Sequence, residues 1–147
     1  MKIAVDMDNT LFDEWGKDVR PGVRQLLDAL RSDGHELVLF TSSTRQRALQ
    51  ILEWHGFTHY FTAKYFREDY DPENRGVIKD LAQIGADILI DDDPKHCAAA
   101  KQAGRIGILV KSYRGGASTG ADEMDAVRER VRQASRPSLR NLWRRLK

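Results

Sequence analysis

A short apolar run that ends in two aspartates constrains the fold of this chain more than any other stretch. Residues 3–5 are apolar, and Asp6 and Asp8 follow them. A run of this kind is typical of a buried strand, and open α/β sheets bind ligands at the carboxyl ends of their strands. If the chain stays extended, both carboxylates point the same way, and their repulsion calls for a cation, for which Mg²⁺ fits best. A surface turn rich in Asp and Asn is the alternative interpretation of this motif alone.

Two later apolar runs end in polar residues in the same way. Residues 36–40 lead into Thr41 and Ser42, and residues 88–90 lead into Asp91, Asp92 and Asp93. The hydroxyls after the second run could simply cap the next helix. Three consecutive carboxylates are costly to hold together without compensation. We therefore expect them to share a cation with the acids that follow the first strand, at the same edge of the sheet.

Helical spacing between these runs predicts an α/β fold. Helices are expected from Pro21 to Gly34, over residues 44–56 and 78–84, and over residues 95–104 and 121–134. A fourth strand is expected over residues 106–110, and residues 57–61 could form a further short one. Residues 11–19 and 62–78 are interpreted as loops. His96, on the helix after the acids, is predicted to be a surface residue.

Composition and charge indicate one domain with a basic tail. A chain of 147 residues fits a single domain, and a net charge of +2 does not indicate a nucleic-acid binder. Residues 136–147 hold five basic side chains and no acid, so the remainder of the chain carries a net charge of −3. We predict a main domain over residues 1–134 and a basic amphipathic tail over residues 135–147. This tail would dock on the body of the protein or contact an anionic partner.

The single cysteine and the lack of long apolar stretches indicate a cytoplasmic protein. One cysteine, Cys97, cannot form an intrachain disulfide and is compatible with a reducing compartment. No run approaches the length of a membrane span, and no signal peptide is recognisable. We therefore predict a cytoplasmic location without a membrane span.

The block from Asp6 to Leu11, Asp-Met-Asp-Asn-Thr-Leu, resembles motif I of the haloacid dehalogenase (HAD) superfamily of phosphohydrolases. Three further motifs of that superfamily follow in the expected order, at Thr41, at Lys79 and at Asp91-Asp92. The resemblance implies a Rossmann-like three-layer sandwich with a mostly parallel central sheet. The segments after motif I and before motif III are too short for the cap domain of many members, so no cap domain is expected.

The resemblance also implies a reaction and the residues that perform it. Asp6 would be the nucleophile and Asp8 the general acid/base of a phosphomonoester hydrolase that works through an aspartyl-phosphate. Lys79 would neutralise charge, and together with Thr41 and Ser42 it would hold the phosphoryl oxygens.

A Mg²⁺ ion is the cofactor that the resemblance implies. The ion would be bound by Asp6, the backbone carbonyl of Asp8 and the Asp92 carboxylate. Asp91 would lie next to these ligands in the second coordination shell. The segment Tyr-Phe-Arg-Glu, followed by Lys-Asp-Leu before an apolar run and by Asp-Asp-Asp-Pro, resembles the capless phosphatases related to CTD phosphatases and magnesium-dependent phosphatase-1. Met7, Asn9 and the third acid of the last motif depart from the CTD phosphatase pattern, so a specificity for phosphoserine is not transferred.

Two other functions remain open at this point. One is a phosphate- or metal-binding regulatory domain that acts through a partner without catalysis. The other is a receiver domain, which also gathers acids, a Thr and a Lys at a sheet edge, although its phosphorylated Asp follows a middle strand where this chain has Thr41. The substrate would carry a phosphate, but its class is open: phosphoprotein, nucleotide, nucleic-acid end or metabolite.

Overall fold

The protein contains a five-stranded sheet in which every strand is parallel to its neighbours. The computed structural model describes residues 1–116 and 121–136. Its strands are β1 (Lys2–Val5), β2 (Glu36–Phe40), β3 (Ala63–Tyr65), β4 (Ile88–Asp91) and β5 (Ile106–Leu109). Its helices are α1 (Val23–Ser32), α2 (Arg45–His55), α3 (Arg67–Tyr70), α4 (Leu81–Ile84), α5 (Pro94–Gln102) and α6 (Ala121–Ser135), with a 3₁₀ turn at Thr58–Tyr60.

The strand order β3-β2-β1-β4-β5 places β1 in the centre of the sheet. Val5 is paired with Leu39 on β2 and with Ile90 on β4. The ends of these three strands therefore lie side by side, as the sequence predicts. The chain crosses from one half of the sheet to the other beside β1, and this is the position at which open α/β sheets form their ligand crevice.

The two faces of the sheet bury different parts of the sequence, because successive side chains of a strand point to opposite faces. Ile3 and Val5 of β1 belong to the larger core cluster, with apolar residues of α1, α2 and α6. Ala4 belongs to the smaller cluster, with Leu81 of α4 and Ala100 of α5. Helices therefore cover both faces, which confirms the predicted three-layer α/β sandwich.

Several predicted elements begin or end elsewhere. Helix α1 starts at Val23 rather than at Pro21, because Gly22 before it has a left-handed backbone conformation (φ 83°). Residues 57–61 form a turn and not a strand, since their aromatic side chains fill the core. The strand β3 lies instead within the stretch that was interpreted as a loop. The helix expected from residue 78 begins only at Leu81, so Lys79 lies in a loop just before it.

Neither segment that could hold a cap domain contains one. Between β1 and α1 the described chain has only turns and two isolated bridges, which pair Phe12 with Asp8 and with Val19. Between β3 and α4 it has the four-residue helix α3 and a loop. No helix in the described part of the chain is long and apolar enough to cross a membrane. The division into residues 1–134 and a tail stays a prediction, because the tail from residue 137 onward lies outside the described residues.

Candidate active site

A buried lysine joins two aspartates from neighbouring strands. Lys79 Nζ lies 2.8 Å from Asp6 Oδ1 and 2.7 Å from Asp91 Oδ2. Asp6 directly follows β1 and Asp91 ends β4, so the pairing of these two strands sets the separation of their carboxylates. All three residues are at most 5% exposed. Buried charges persist only when they are paired and hydrogen-bonded, and here one ammonium group compensates two carboxylates.

The second carboxylate oxygen of Asp6 accepts a hydrogen bond from a residue in the turn of motif I. Thr10 Oγ1 donates a hydrogen bond of 2.8 Å to Asp6 Oδ2, and it lies 3.4 Å from Asp92 Oδ1. Asn9, whose φ is 63°, allows the chain to turn back in this way. Burial alone would raise the pKa of Asp6, but the charge and the hydrogen bond of Lys79 hold that pKa below its ordinary value. Asp6 is therefore ionised at neutral pH, and both its oxygens have donors.

The carboxylates of Asp6, Asp91 and Asp92 form a cluster that could hold a metal ion. One oxygen from each lies within 4.8 Å of the others, and they are the one such group of three among the described residues. Burial and the charge of Asp6 raise the pKa of Asp91 to about 8 and that of Asp92 to about 6. The charge of Lys79 therefore compensates only part of the repulsion among these three acids. A hard divalent cation with oxygen ligands fits this set of donors.

Within this cluster the Asp92 carboxylate has the fewest hydrogen bonds in the described part of the chain, since both oxygens of Asp6 already accept from Lys79 and Thr10. Asp91 Oδ2 already accepts a hydrogen bond from Lys79, and its Oδ1 accepts one of 3.0 Å from the backbone N–H of Asp93. Asp92 Oδ1, by contrast, accepts a long hydrogen bond of 3.4 Å from Thr10 Oγ1. The acids after β1 and β4 are expected to lie together at one edge of the sheet, and the 4.8 Å limit of the cluster confirms that Asp6 and Asp92 do so.

The Asp8 carboxylate lies outside that cluster and contacts an arginine. Arg47 Nη1 donates a hydrogen bond of 2.9 Å to Asp8 Oδ2. Asp8 Oδ1 is buried and accepts no hydrogen bond from the described residues. Partial burial raises the pKa of Asp8 above its ordinary value, and the charge of Arg47 opposes this rise. A carboxyl group with a raised pKa is suited to proton transfer near neutral pH.

An open cleft of about 440 Å³ gives access to these residues from the carboxyl edge of the sheet. The lining residues are Asp6, Asp8, Asn9, Ser42, Lys79, Asp91, Asp92, Asp93, Pro94, His96, Ser112 and Arg114. Of the predicted site residues, only Thr41 is not among them. Thr41 is fully buried beside the cleft, where its Oγ1 accepts a hydrogen bond of 3.0 Å from the backbone N–H of Ser43.

The family model of NLI interacting factor-like phosphatases matches residues 1–138, nearly the whole chain. The chain belongs to this family. It is therefore a phosphatase of the HAD type, as the sequence motifs indicate.

Solved structures show that this NLI interacting factor-like phosphatase shares its fold with HAD-superfamily hydrolases. It resembles D,D-heptose 1.7-bisphosphate phosphatase from B. bronchiseptica, complexed with magnesium and phosphate, with a TM-score of 0.58, 17% identity and coverage of 91% of this chain and 99% of the other. A HAD phosphatase from Thermococcus onnurineus has a TM-score of 0.58 at 20% identity, over 78% of this chain and 58% of the other. An uncharacterized protein from Listeria monocytogenes serotype 4b reaches a TM-score of 0.64 at 13% identity, over 90% of this chain and 97% of the other. Sequence identities this low establish only that the folds are similar. No curated protein sequence matches the chain.

The prediction that His96 is a surface residue is wrong. Its side chain is only 12% exposed and lines the cleft, and its Nδ1 accepts a hydrogen bond of 3.1 Å from the backbone N–H of Lys79. Burial lowers the pKa of His96, so the ring is neutral and can accept this bond. A signal was available: His96 lies in the first turn of the helix that follows the acids, and this turn faces the same edge of the sheet.

Three further polar residues of this phosphatase were not predicted from the sequence. Ser112 and Arg114 line the cleft because they follow β5, which ends at the same edge as β1 and β4. The loop that carries them is tied to motif I, since the backbone N–H of Tyr113 donates 2.8 Å to the carbonyl of Asn9 and the Asn9 side chain donates 2.9 Å to the carbonyl of Tyr113. Arg47 lies in the first turn of α2, and no sequence pattern distinguishes it from the other arginines there.

Proposed function

We propose that this phosphatase hydrolyses phosphomonoesters with Asp6 as the nucleophile, Asp8 as the general acid/base and Mg²⁺ as the cofactor. The observation that carries the proposal is the state of Asp6: it is ionised, held through both oxygens, and open to a cleft that contains Asp8. The fold relative from B. bronchiseptica that is complexed with magnesium and phosphate supports the choice of metal and substrate group.

The reaction would proceed in two transfers of the phosphoryl group. An oxygen of Asp6 attacks phosphorus, the bond to the leaving oxygen breaks, and Asp8 donates a proton to that oxygen. Asp8, now ionised, then takes a proton from a water molecule whose oxygen attacks phosphorus. The bond between phosphorus and Asp6 breaks, which releases phosphate and restores the carboxylate.

The phosphoryl oxygens need donors that are fixed before the substrate binds. Lys79 is held by its two carboxylates and lines the cleft, and Ser42 lines it from the end of β2. The Thr41 hydroxyl accepts a bond from Ser43, so its own O–H remains able to donate. We therefore assign phosphoryl binding to these three residues.

The residues suited to hold Mg²⁺ are Asp6, Asp92 and the backbone carbonyl of Asp8, with Asp91 held behind them by Lys79. When bound, Mg²⁺ supplies positive charge that reduces the repulsion between the nucleophile and the phosphoryl group. Asp91 instead holds the ammonium group of Lys79 through a hydrogen bond of 2.7 Å.

Turnover of p-nitrophenyl phosphate with added Mg²⁺ tests the proposal. We expect hydrolysis that a chelator abolishes and added Mg²⁺ restores. In the Asp92→Asn variant we expect the Mg²⁺ concentration for half-maximal rate to rise by about 10-fold or more, because one of the charged ligands is lost. The matched control is Asp125→Asn on the exposed side of α6, which should leave this concentration unchanged. Binding of phosphate without any turnover would contradict the proposal and support the regulatory alternative.

The basic tail should be dispensable for this chemistry. Among the described residues, none that lines the cleft lies beyond Arg114, so deletion of residues 136–147 is expected to leave the turnover of p-nitrophenyl phosphate within about twofold, as for a surface change. We propose that the tail docks on the body or recruits an anionic partner. If it recruits such a partner, that binding should weaken as salt is added. Loss of turnover in a truncated protein with an intact circular dichroism spectrum would show that the tail completes the site.

The natural substrate carries a phosphate in this proposal, and its class stays open. A screen of phosphorylated metabolites, nucleotides, phosphopeptides and 3′- or 5′-phosphorylated oligonucleotides would identify it. The cytoplasmic location stays a prediction from the single cysteine.

A further inference from the structure

Arg47 connects three segments of the active site through its guanidinium group. Nη1 donates hydrogen bonds to Asp8 Oδ2 at 2.9 Å and to Ser43 Oγ at 3.0 Å. Nη2 donates a hydrogen bond of 2.9 Å to the backbone carbonyl of Glu14. The segment after β1, the loop before α1 and the end of β2 are thereby joined by one side chain.

The backbone that carries Arg47 is itself held in place. Thr44 caps α2, and its hydroxyl accepts a hydrogen bond of 3.4 Å from the backbone N–H of Arg47. Only 39% of the Arg47 side chain is exposed, although arginine on a helix surface is usually solvated. Its planar group forms bonds in fixed directions, which suits it to orient a carboxylate.

Asp8 depends on this arginine for its orientation. Arg47 is the only described residue that hydrogen-bonds its carboxylate. Arg47 Nη1 lies 2.9 Å from Oδ1 as well, but Oδ1 accepts no hydrogen bond from it. Arg47 Nη1 is thus close to both oxygens of Asp8, and its hydrogen bond is directed at Oδ2.

We propose that Arg47 is a positioning residue that orients the Asp8 carboxylate for proton transfer to the leaving oxygen and from water. This inference rests on the proposed role of Asp8 as the general acid/base. It assigns a function to a residue outside the four sequence motifs. Arg47 would act through Asp8 and not by binding the phosphoryl group.

A comparison of leaving groups tests this role. The variant is Arg47→Gln, and the substrates are p-nitrophenyl phosphate and phenyl phosphate, which have nearly the same size. Phenolate is the more basic leaving group and needs the proton, whereas nitrophenolate needs it little. We expect kcat/KM to fall by about 10-fold or more for phenyl phosphate and by clearly less for p-nitrophenyl phosphate, since general acid catalysis contributes roughly 10² to 10⁴ in rate. An equal loss for both substrates, or no loss, would overturn the proposal.

A double variant separates this inference from the proposed function. In Asp8→Asn protein, the further change Arg47→Gln should cause little additional loss in kcat/KM for phenyl phosphate, because residues that act as a unit are not additive. Multiplicative losses would mean that Arg47 acts independently of Asp8, for example on the phosphoryl group. If Asp8→Asn itself leaves the difference between the two substrates unchanged, the proposed function fails instead.

Two other variants control for charge and for folding. Arg45→Gln removes the same charge two residues away, from a side chain that pairs with Asp69, and it should leave both substrates unaffected. Arg47→Lys keeps the positive charge and one nitrogen donor group. It replaces Arg47→Gln in the test if that variant fails to fold. We expect Arg47→Lys to show a smaller loss that is again larger for phenyl phosphate, and a uniform loss in this variant would also overturn the proposal.

Discussion

Replacement of Asp6 by Asn is expected to reduce the turnover of p-nitrophenyl phosphate to near background, on the order of 10⁴-fold or more, as for other nucleophiles. The amide has almost the same shape but no negative oxygen to attack phosphorus. It also removes one of the two charges that Lys79 compensates. Steady-state assays measure the loss, and intact protein mass after a rapid quench should show no phosphorylated form.

The Asp8→Asn variant is the control for that result, because it should fail at a different step. It keeps the nucleophile but loses the proton donor and the later base, so a loss of roughly 10² to 10⁴ is expected. With a good leaving group the first transfer should still occur, and hydrolysis of the acyl-phosphate should become slow. Peptide mass spectrometry should then find about 80 Da of added mass on the peptide that contains Asp6. Near-normal turnover by Asp6→Asn would refute the covalent mechanism.

Replacement of Lys79 by Met should impair both turnover and stability. Removal of one partner of a buried ion pair typically costs about 3–5 kcal/mol, because the remaining charge loses its compensation. Here the ammonium group lies within 2.8 Å of one carboxylate and 2.7 Å of another, so both Asp6 and Asp91 lose their partner. Urea unfolding at neutral pH measures the stability change. Lys101→Met on the exposed face of α5 is the control, and it should change stability by no more than about 0.5 kcal/mol.

A second change shows whether repulsion between these acids causes the loss. In Lys79→Met/Asp91→Asn protein residue 91 can no longer carry a negative charge beside Asp6, so part of the stability should return while turnover stays low. A Lys79→Met variant with the stability of the original protein would show that the acids are neutralised by protonation and not by Lys79.

The parts of the site that the sequence predicts are those that local patterns determine. The ends of β1 and β4 are recognisable because each apolar run stops at an acid, and parallel pairing then brings Asp6 close to Asp91 and Asp92. The strand β3 was not predicted, because an edge strand of three half-buried residues has no apolar run. Residues 57–61 could form a strand by their composition, because aromatic side chains that are buried in a turn give the same sequence pattern.

The contacts that the sequence does not predict join residues that are far apart along the chain. Arg47 contacts Asp8 from 39 residues away, and only the packing of α2 against the motif I segment determines which arginine of that helix reaches it. The contact of His96 could not be predicted for the same reason. Its partner is the backbone of Lys79, which lies in a loop without a periodic sequence pattern. Lys79 was predicted through its place in the order of motifs, and not through its own surroundings.

The central position of β1 also has a consequence for the synthesis of the protein. Its partner β2 follows within the first 40 residues, but its other partner, β4, pairs Ile3 with Ile88. While the ribosome is still making the middle of the chain, Asp6 and Asp8 are present without Lys79 and without the three acids after residue 90. The nascent chain therefore carries the nucleophile long before it can compensate or use its charge. The active site can be assembled only after β4 has been synthesised and inserts beside β1.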